Sequence, residues 1–481
     1  MSSSPATAPA GGFQSTLQAF ADLRRLPLAF WLIVLTFAVE SMAYFAMLPL
    51  MVTFLTADLH WSDAWATPAV SLFSGAVTLF MLGAGSIAES FGVRRAIVAA
   101  LLLTVAGRVV YCVAPSAGGA VVVVVIAGLL ITALGDAILQ PVCYSGIKQY
   151  TDQRTSAMGY ALIYAIMNAG IIVVGEISSR IRPAVDAAIK ARATGGDAPG
   201  GLIGLLAART GSGVQAVNWV GTVINVLALL MFVVLMVVAF ARPALRPDKL
   251  LDGAPPDARP LGQRLKEYFT EGPFGNARFL FFIFMLLPVR TVFVHAQILT
   301  LPAFVLRVYP SDVANHMEQI LNWTNSLIIL IGVPVLTAVF RKTNIYTVMI
   351  VGSLITAAPV YLLAAGANFW ILITFQVLYS IGEAMWTARF LEYASELAPP
   401  GRIAQYMGLA NIPWLLAKLT TGLYAGLMLE RFCPLGRDNT GVTAAPMWTL
   451  YGSIAMLSPI GLLLARKWVL VGLHKPSASG Q

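Results

Sequence analysis

Residues 120–139 read AVVVVVIAGLLITALGDAIL, an apolar stretch whose one charged residue is Asp136. An α-helix rises about 1.5 Å per residue, so about 20 apolar residues are needed to cross the hydrocarbon core of a bilayer. Further stretches of this kind occur on both sides of it. The sequence predicts an all-α membrane protein with twelve transmembrane helices, at residues 28–55, 66–88, 96–113, 120–145, 158–181, 217–240, 279–301, 320–340, 345–365, 370–390, 403–429 and 447–465.

The composition excludes an ordinary soluble domain. Of the 481 residues, 58% are hydrophobic and only 11% are charged, with a mean hydropathy of +0.78. A polar segment rich in Pro, Arg and Asp divides the spans into two sets of six. We therefore predict a cytoplasmic N-terminal tail (1–26), a first six-helix bundle (27–240), a cytoplasmic linker (241–276), a second six-helix bundle (277–467) and a cytoplasmic C-terminal tail (468–481).

The distribution of Lys and Arg predicts the orientation. Basic residues concentrate in the linker and in alternate short loops, and such segments normally stay on the cytoplasmic side. We expect a multi-pass protein of the plasma membrane, or of the inner membrane in a bacterium, with both termini cytoplasmic. The loop from Arg180 to Arg209 is basic and disagrees with this topology. The formal net charge of +9 is better explained by topology and lipid headgroups than by nucleic acid.

The sequence lacks the motifs of an enzyme or a metalloprotein. The three cysteines and four histidines are scattered, and no Gly-rich nucleotide loop or nucleophile–base pair is found in a plausible context. We predict no enzyme activity, no cofactor and no metal. The expected partners are a small-molecule substrate, protons and the lipid bilayer, with no nucleic acid and with a monomer as the functional unit.

The segment between the second and third spans points to a family. Residues 85–95 read GSIAESFGVRR, which is similar to the signature loop of the major facilitator superfamily. Two bundles of six helices joined by a basic loop are also the layout of that superfamily. The resemblance implies a tight turn and pairing of charges across the cytoplasmic face, and it gives conformational roles to Gly85, Glu89, Gly92, Arg94 and Arg95. Glu89 stands where the superfamily usually has Asp.

Further motifs resemble the proton-coupled oligopeptide transporter family within that superfamily. Each occurs in the span where that family carries it, and in the same order. They are Glu40-Ser-Met-Ala-Tyr44-Phe45 in the first span, Gly159-Tyr160 to Asn168-Ala-Gly170 after Arg154 in the fifth, Gln319-Ile-Leu-Asn322 with Gly332-Val-Pro334 in the eighth, and Gly382-Glu383 in the tenth, followed by Leu397-Ala398-Pro399 and Met407-Gly408.

The departures from that family concern the substrate. In the family, basic residues of helices one and four help to hold the carboxylate of a peptide, and the acid of helix ten faces the peptide amino group. Here Ser41 and Leu48 replace arginines, and Gln140 precedes Pro141 where the family has Lys. The acid, Glu383, is present. The resemblance therefore implies a transporter, while a di- or tripeptide substrate is in doubt.

Glu40 and Glu383 are the candidates for proton coupling. Both fall deep within predicted spans, where an isolated carboxylate is costly and must be protonated, paired or hydrated. Such a carboxyl can bind and release a proton as its surroundings change. The alternative for each is a buried acid that only holds neighbouring helices together. Tyr44 lies one turn from Glu40 on the same helix face.

Other polar and aromatic residues of the spans are candidates for substrate binding. Arg290 follows Pro288, which favours a bend in the seventh span, and Lys418 shares a helix face with Trp414. Pairing of Lys418 with Glu383 is one possibility. Asn168 and Asn322 have inter-helix hydrogen bonding as the alternative. The predicted substrate-binding set is Tyr44, Gln140, Asn168, Arg290, Gln297, Asn322, Trp414 and Lys418. For Arg108 and Asp136 we expect a structural pair between neighbouring helices.

These features predict a secondary active transporter that works by alternating access. We expect proton coupling and a small polar or zwitterionic solute, peptide-like or other. An exporter or exchanger of amphipathic or anionic compounds is the alternative within transport. A membrane sensor or scaffold that keeps the fold without transporting is the alternative of another class.

Overall fold

The computed structural model describes residues 26–151, 156–196, 199–240, 273–340, 343–396, 409–435 and 444–470. Within these ranges twelve helices are long and apolar enough to cross a membrane, as the sequence predicts. The first half contains α1 (Leu28–Asp58), α2 (Asp63–Phe91), α3 (Val93–Cys112), α4 (Val121–Tyr150), α5 (Ser156–Ala193) and α6 (Gly213–Phe240). The second half contains α7 (Ala277–Leu299), α8 (Met317–Val339), α9 (Ile345–Ala365), α10 (Phe369–Glu396), α11 (Ile412–Phe432) and α12 (Ala445–Leu464).

Several predicted segments lie outside the described residues. They are most of both tails, the linker up to residue 272, Arg154, and the motif residues Leu397-Ala398-Pro399 and Met407-Gly408. The side chains of residues 82–91, including Gly85 and Glu89, also lie outside them. The division into tails, bundles and linker therefore stays a prediction.

The fifth helix is longer than the sequence pattern predicts. We expected it to end at residue 181, but α5 continues to Ala193 and is followed by a short helix, Gly201–Arg209. Residues 182–193 are too polar for a bilayer core but rich in Ala and long side chains, which are strong helix formers. The basic loop between α5 and α6 is thus largely helical. The apolar stretch in the sequence therefore does not predict where α5 ends.

Three helices change or break where proline occurs, one of them α9, which becomes a 3₁₀ helix at Ala358–Ala365 with Pro359 in its first turn. α1 changes to a 3₁₀ turn at Leu48–Leu50, around Pro49, and ends in a π-helical turn. α7 breaks at Leu286 and restarts with Pro288 in its first turn, so the predicted bend is present. Proline removes a backbone donor and cannot continue the preceding turn. The freed Val289 N–H donates instead to Ser458 Oγ of α12, at 2.9 Å.

The turn between α2 and α3 requires glycine at one position. Gly92 precedes α3 with φ of 77°, a conformation that other L-residues rarely adopt. Arg94 is partly buried and Arg95 is exposed in the first turn of α3. The tight turn implied by the family resemblance is therefore present.

Small residues allow close helix packing within each half. At Gly107 of α3, an added Cβ would lie 2.4 Å from Thr132 N of α4, and at Gly128 of α4 it would lie 2.7 Å from Tyr111 N. In the second half, a Cβ at Gly382 of α10 would lie 2.5 Å from Thr356 N of α9. These glycines bring backbones into contact, which is how helices commonly associate in a bilayer.

The two halves pack together along two helix pairs, α2 with α11 and α5 with α8. Gly422 and Gly426 of α11 face Ser71, Thr67 and Asp63 of α2 so closely that a side chain at either glycine would overlap them. Thr67 Oγ1 donates to the Gly422 carbonyl oxygen at 2.9 Å. The contact lies towards the end of the bundle where α1 ends and α2 begins, which we call the remote end because α1 begins and α12 ends at the other.

We predict that Gly128→Ala destabilises the first half. The new methyl group would meet the Tyr111 backbone, which cannot move aside, and overpacking of this kind costs about 1–3 kcal/mol. The unfolding temperature of the purified protein in detergent should fall. Gly119→Ala is the control, because a Cβ there meets nothing within 4 Å and its unfolding temperature should not change. Equal unfolding temperatures for the two variants would contradict close packing of α3 and α4.

Candidate functional site

Glu383 lies near the middle of α10 and is half-buried. Asn325 of α8 donates from Nδ2 to Glu383 Oε2 at 2.9 Å, and to Ser380 Oγ at 3.2 Å. The carboxyl also interacts electrostatically with Arg290 of α7, and with Tyr164 of α5 in the other half. Tyr164 itself is exposed in the chain. Glu383 is therefore bound within its own bundle on one side and faces the first half on the other.

Arg290 lies among aromatic rings. Its guanidinium carbon is 4.4 Å from the ring centre of Phe390, 5.1 Å from that of Trp386 and 5.3 Å from that of Trp414. Aromatic faces attract a guanidinium and remain apolar. Its Nε is buried and has no hydrogen-bond partner among the described residues. The rings thus stabilise the cation without using its donor capacity.

The side chain of Lys418, in α11, forms hydrogen bonds with the first half. Its ammonium donates to Thr78 Oγ1 at 2.9 Å and to the Ser74 carbonyl oxygen at 3.3 Å, both on α2. It also lies 5.3 Å from the ring centre of Trp414, so these two residues share a face as the spacing predicts. The pairing with Glu383 that we considered is not the contact found. Lys418 instead links the halves near the middle of α11.

Glu40 lies inside the first half. Arg108 Nη2 of α3 donates to Glu40 Oε1 at 3.0 Å and lies 3.7 Å from Asp136 Oδ1 of α4. All three side chains are buried. The predicted pairing of Arg108 with Asp136 is thus part of a larger cluster, in which the closer contact is to Glu40.

The other predicted substrate-binding residues are found at different places. Tyr44 and Gln140 are half-buried, and the Tyr44 ring packs against Phe73 of α2 with centres 6.2 Å apart. Asn168 is buried and donates to its own helix at the Tyr164 carbonyl. Gln297 is buried in the π-helical end of α7. Asn322 packs against α5, because a Cβ added at Gly175 of that helix would lie 3.0 Å from the Cβ of Asn322. The structure does not gather this set into one cluster.

Three tyrosines of the first half other than Tyr44 were not predicted from the sequence as site residues. Tyr144 of α4 and Tyr160 of α5 have ring centres 6.0 Å apart, and Phe37 of α1 lies 6.1 Å from Tyr144. Tyr164 is one turn beyond Tyr160. Together with the rings around Arg290, they give each half a group of neighbouring aromatic residues. Aromatic residues are common in apolar spans, so sequence spacing alone gave no reason to select these.

A buried ion pair joins the halves at the remote end. Arg307, in the short helix Leu301–Val308 after α7, binds both carboxylate oxygens of Asp63, the first residue of α2, at 2.7 Å each. It also donates to the Cys433 carbonyl at 2.9 Å and to Thr56 Oγ1 at 3.4 Å. One guanidinium therefore ties the ends of α1, α2 and α11 together.

A second buried pair joins the halves along α5 and α8. Arg182 contacts both oxygens of Glu318, at 2.5 and 2.9 Å, and donates to the Ala314 carbonyl at 2.6 Å. Nearby, Gln319 donates to Glu176 at 2.8 Å and Trp323 to the Ile172 carbonyl at 2.9 Å. Glu176 also pairs with Arg180 one turn away, as its spacing predicts. The remote end is therefore closed by charge-assisted hydrogen bonds between the halves.

Sequence reasoning missed both buried pairs between the halves. Asp63 and Glu318 begin their helices, where an acid is ordinarily explained by the helix dipole. Arg182 and Arg307 read as loop charges that mark topology. The partners are 136 and 244 residues apart, so no local spacing connects them. Asn325, the partner of Glu383, lies three residues after Asn322 and on a related face, a signal that was available.

Comparisons with known proteins place the chain by its fold. The family model described as the Major Facilitator Superfamily matches residues 8–179, which span most of the first half. No curated protein matches the sequence.

Solved structures match along nearly the whole chain. A POT family transporter in complex with 5-aminolevulinic acid is 13% identical, with a TM-score of 0.64 over 92% of this chain and 97% of that one. An auto-inhibited POT family peptide transporter is 17% identical, with the same score and coverages. The nucleoside transporter NupG is 12% identical, with a TM-score of 0.67 over 91% of this chain and 99% of that one. The predicted fold and the resemblance to the superfamily are confirmed, and the matches are transporters, not enzymes.

We predict that Asp63→Asn opens the remote end. Removing one partner of a buried ion pair costs about 3–5 kcal/mol, because Arg307 is left buried without its counter-ion. That cost falls only on the conformation in which the halves meet. Spin labels at Ser116→Cys and Ala367→Cys, both exposed at the remote end, should report a longer distance by pulsed electron paramagnetic resonance.

The exchange Asp63→Arg with Arg307→Asp restores opposite charges and should return the short distance. An unchanged distance distribution in Asp63→Asn would contradict a closing role for this pair.

Proposed function

From the major facilitator fold of this chain, we propose that it is a proton-coupled secondary transporter for a small polar or zwitterionic solute. The observation that carries the proposal is the position of Glu383. It is half-buried in the middle of α10, linked to Asn325 within its half and facing Tyr164 of the other. Transporters of this superfamily bind substrate near the bilayer midplane between their two halves.

Glu383 has the surroundings that proton exchange requires. A carboxylate at this depth is costly unless it is neutralised. Protonation removes the charge, and an arriving solute cation or Arg290 compensates it. Either event lets the carrier change conformation without burying an unpaired charge. The hydrogen bond from Asn325 holds the Glu383 side chain in place.

Alternating access follows from the contacts between the halves. The ion pairs Arg307–Asp63 and Arg182–Glu318 close the remote end, which the Lys and Arg distribution assigns to the outside. The proposed conformation is therefore one in which the outer gate is shut. Lys418 links the halves further along α2 than the Arg307–Asp63 pair does, and its bonds to α2 would have to break when the outer end opens.

The residues around Arg290 support a solute with an anionic group. Peptide transporters of the resembling family use cations of helices one and four, which this chain lacks. Arg290 offers in the second half an Nε donor that no described residue uses, and the rings around it provide apolar walls. Glu383 nearby provides the opposite charge. A zwitterion that spans the two would satisfy both, and we propose this class of substrate, with Tyr44 and Gln140 contributing from the first half.

We predict that Glu383→Gln abolishes uptake driven by a pH gradient and leaves counterflow exchange intact. Glutamine keeps the shape and a hydrogen bond to Asn325, but it carries no proton between the two sides. Uptake and counterflow would be measured in proteoliposomes with an imposed pH gradient. Asp312→Asn is the matched control, because its carboxyl is exposed at the remote end. An unchanged response of Glu383→Gln to pH would remove this residue from the coupling mechanism.

We predict that Arg290→Gln removes stabilisation by anionic and zwitterionic ligands. A ligand that binds the folded state stabilises it by about 2.7 kcal/mol when its concentration is a hundred times its dissociation constant. The apparent unfolding temperature rises as a result. Peptides, amino acids, nucleosides and organic anions would be screened by thermal shift against the purified protein. Arg209→Gln, at an exposed arginine of the short helix after α5, should behave as the wild type. Equal shifts for Arg290→Gln and wild type would exclude this arginine as a ligand contact.

A further inference from the structure

The buried cluster of Glu40, Arg108 and Asp136 contains an unequal number of charges. Glu40 comes from α1, Arg108 from α3 and Asp136 from α4, and their exposed fractions are 5%, 1% and 7%. Two acids face one base. If every group is ionised, the cluster carries a net negative charge in the interior of the first half. An uncompensated buried charge of this kind is strongly unfavourable.

Among the residues that the structure describes, no other charge compensates the cluster. The remaining titratable side chains that interact with it, among the described residues, are Tyr44 of α1, Cys112 of α3 and Cys143 of α4. Phenols and thiols are neutral at physiological pH. α5 and α6 also pack against α1, and within the described part of the chain they bring no charged group to Glu40 or Asp136. The balance must come from within the cluster.

The hydrogen-bonding atoms of the cluster are also incompletely used. Arg108 donates to Glu40 from Nη2. Among the described residues, Arg108 Nε and Nη1 have no hydrogen-bond partner, and neither carboxylate oxygen of Asp136 accepts a hydrogen bond. Buried polar atoms in proteins are normally paired. Both carboxyl groups lie against the same nitrogen, since Arg108 Nη2 is 3.0 Å from Glu40 Oε1 and 3.7 Å from Asp136 Oδ1. A proton would therefore satisfy an acceptor and remove the surplus charge together.

We propose that Glu40, Arg108 and Asp136 form a proton-binding triad that holds one exchangeable proton between its two carboxyls. Arg108 is the fixed cation that neutralises whichever carboxyl is ionised. Because the two acids interact directly, the proton belongs to the pair and not to either residue alone. Release breaks the O–H bond, leaves its electron pair on the carboxylate, and transfers the proton to a water molecule.

Two less buried residues lie one helical turn from the triad. Tyr44 lies one turn from Glu40 on α1, and Gln140 one turn from Asp136 on α4. Both are half-buried, whereas the triad is enclosed. The path for the proton therefore runs past Tyr44 and Gln140. In that role the triad is a second coupling site besides Glu383, and this part of the inference rests on the proposed function.

Infrared difference spectra between acidic and alkaline buffer test the triad on the full-length protein in lipid, with no solute present. The wild type should lose the carbonyl band of a protonated carboxyl as the pH rises. Asp136→Asn should lack this band at every pH, because the remaining Glu40–Arg108 pair is neutral without a proton. Glu40→Gln should lack the same band for the corresponding reason. Each variant should also take up one proton fewer on acidification, measured with an indicator dye.

Glu383→Gln is the control, since it should keep the band that the two triad variants lose. Circular dichroism checks that each variant is folded, and either triad variant alone decides the question. A wild type with no such band, or triad variants that both keep it, would overturn the proposal. Loss of a different band in each variant would show two independent carboxyls and would also overturn it. Transport does not enter this measurement, so a protein that moves no tested solute can still have the triad.

Discussion

Charges inside a bilayer need partners, and this constraint accounts for most of what is specific to the protein. An ionised side chain loses its hydration there and must be paired, neutralised or hydrated. The described spans meet the requirement in different ways: ion pairs between the halves at the remote end, a cluster of three groups within the first half, and an arginine among aromatic rings in the second. The charged side chains therefore differ in how tightly their neighbours hold them.

The two halves differ in how tightly their charges are held. Glu40 is enclosed by α1, α3 and α4, while Glu383 has one hydrogen bond within its bundle and faces the other half. Arg290 is stabilised by ring faces, and its Nε has no hydrogen-bond partner within the described part of the chain. The first half therefore holds charge in a closed cluster, and the second holds charge at the proposed solute site. Such asymmetry fits a carrier whose halves move about a shared site.

Much of the fold was predictable because the bilayer imposes length and apolarity on every span. The spans and the break near Pro288 follow from those rules. α5 does not, since its last turns leave the hydrocarbon and continue on helix propensity. The site was predicted less completely. Glu383, Arg290, Lys418 and Trp414 were selected by depth, but the rings around Arg290 and the partner of Lys418 were not, because they come from other helices.

The sequence by itself determined which residues are buried and costly: the twelve apolar spans, and the few ionisable groups within them. Local chemistry is enough for this, because span length and the cost of burying a charge depend on the segment and the solvent. Only the tertiary structure decided which charges meet. Asp63 and Arg307 are 244 residues apart, and Glu40 and Arg108 are 68 apart, so their pairing depends on how whole helices pack. Small residues where two backbones touch determine that packing. The spacing of residues along one helix does not show which other helix it will pack against.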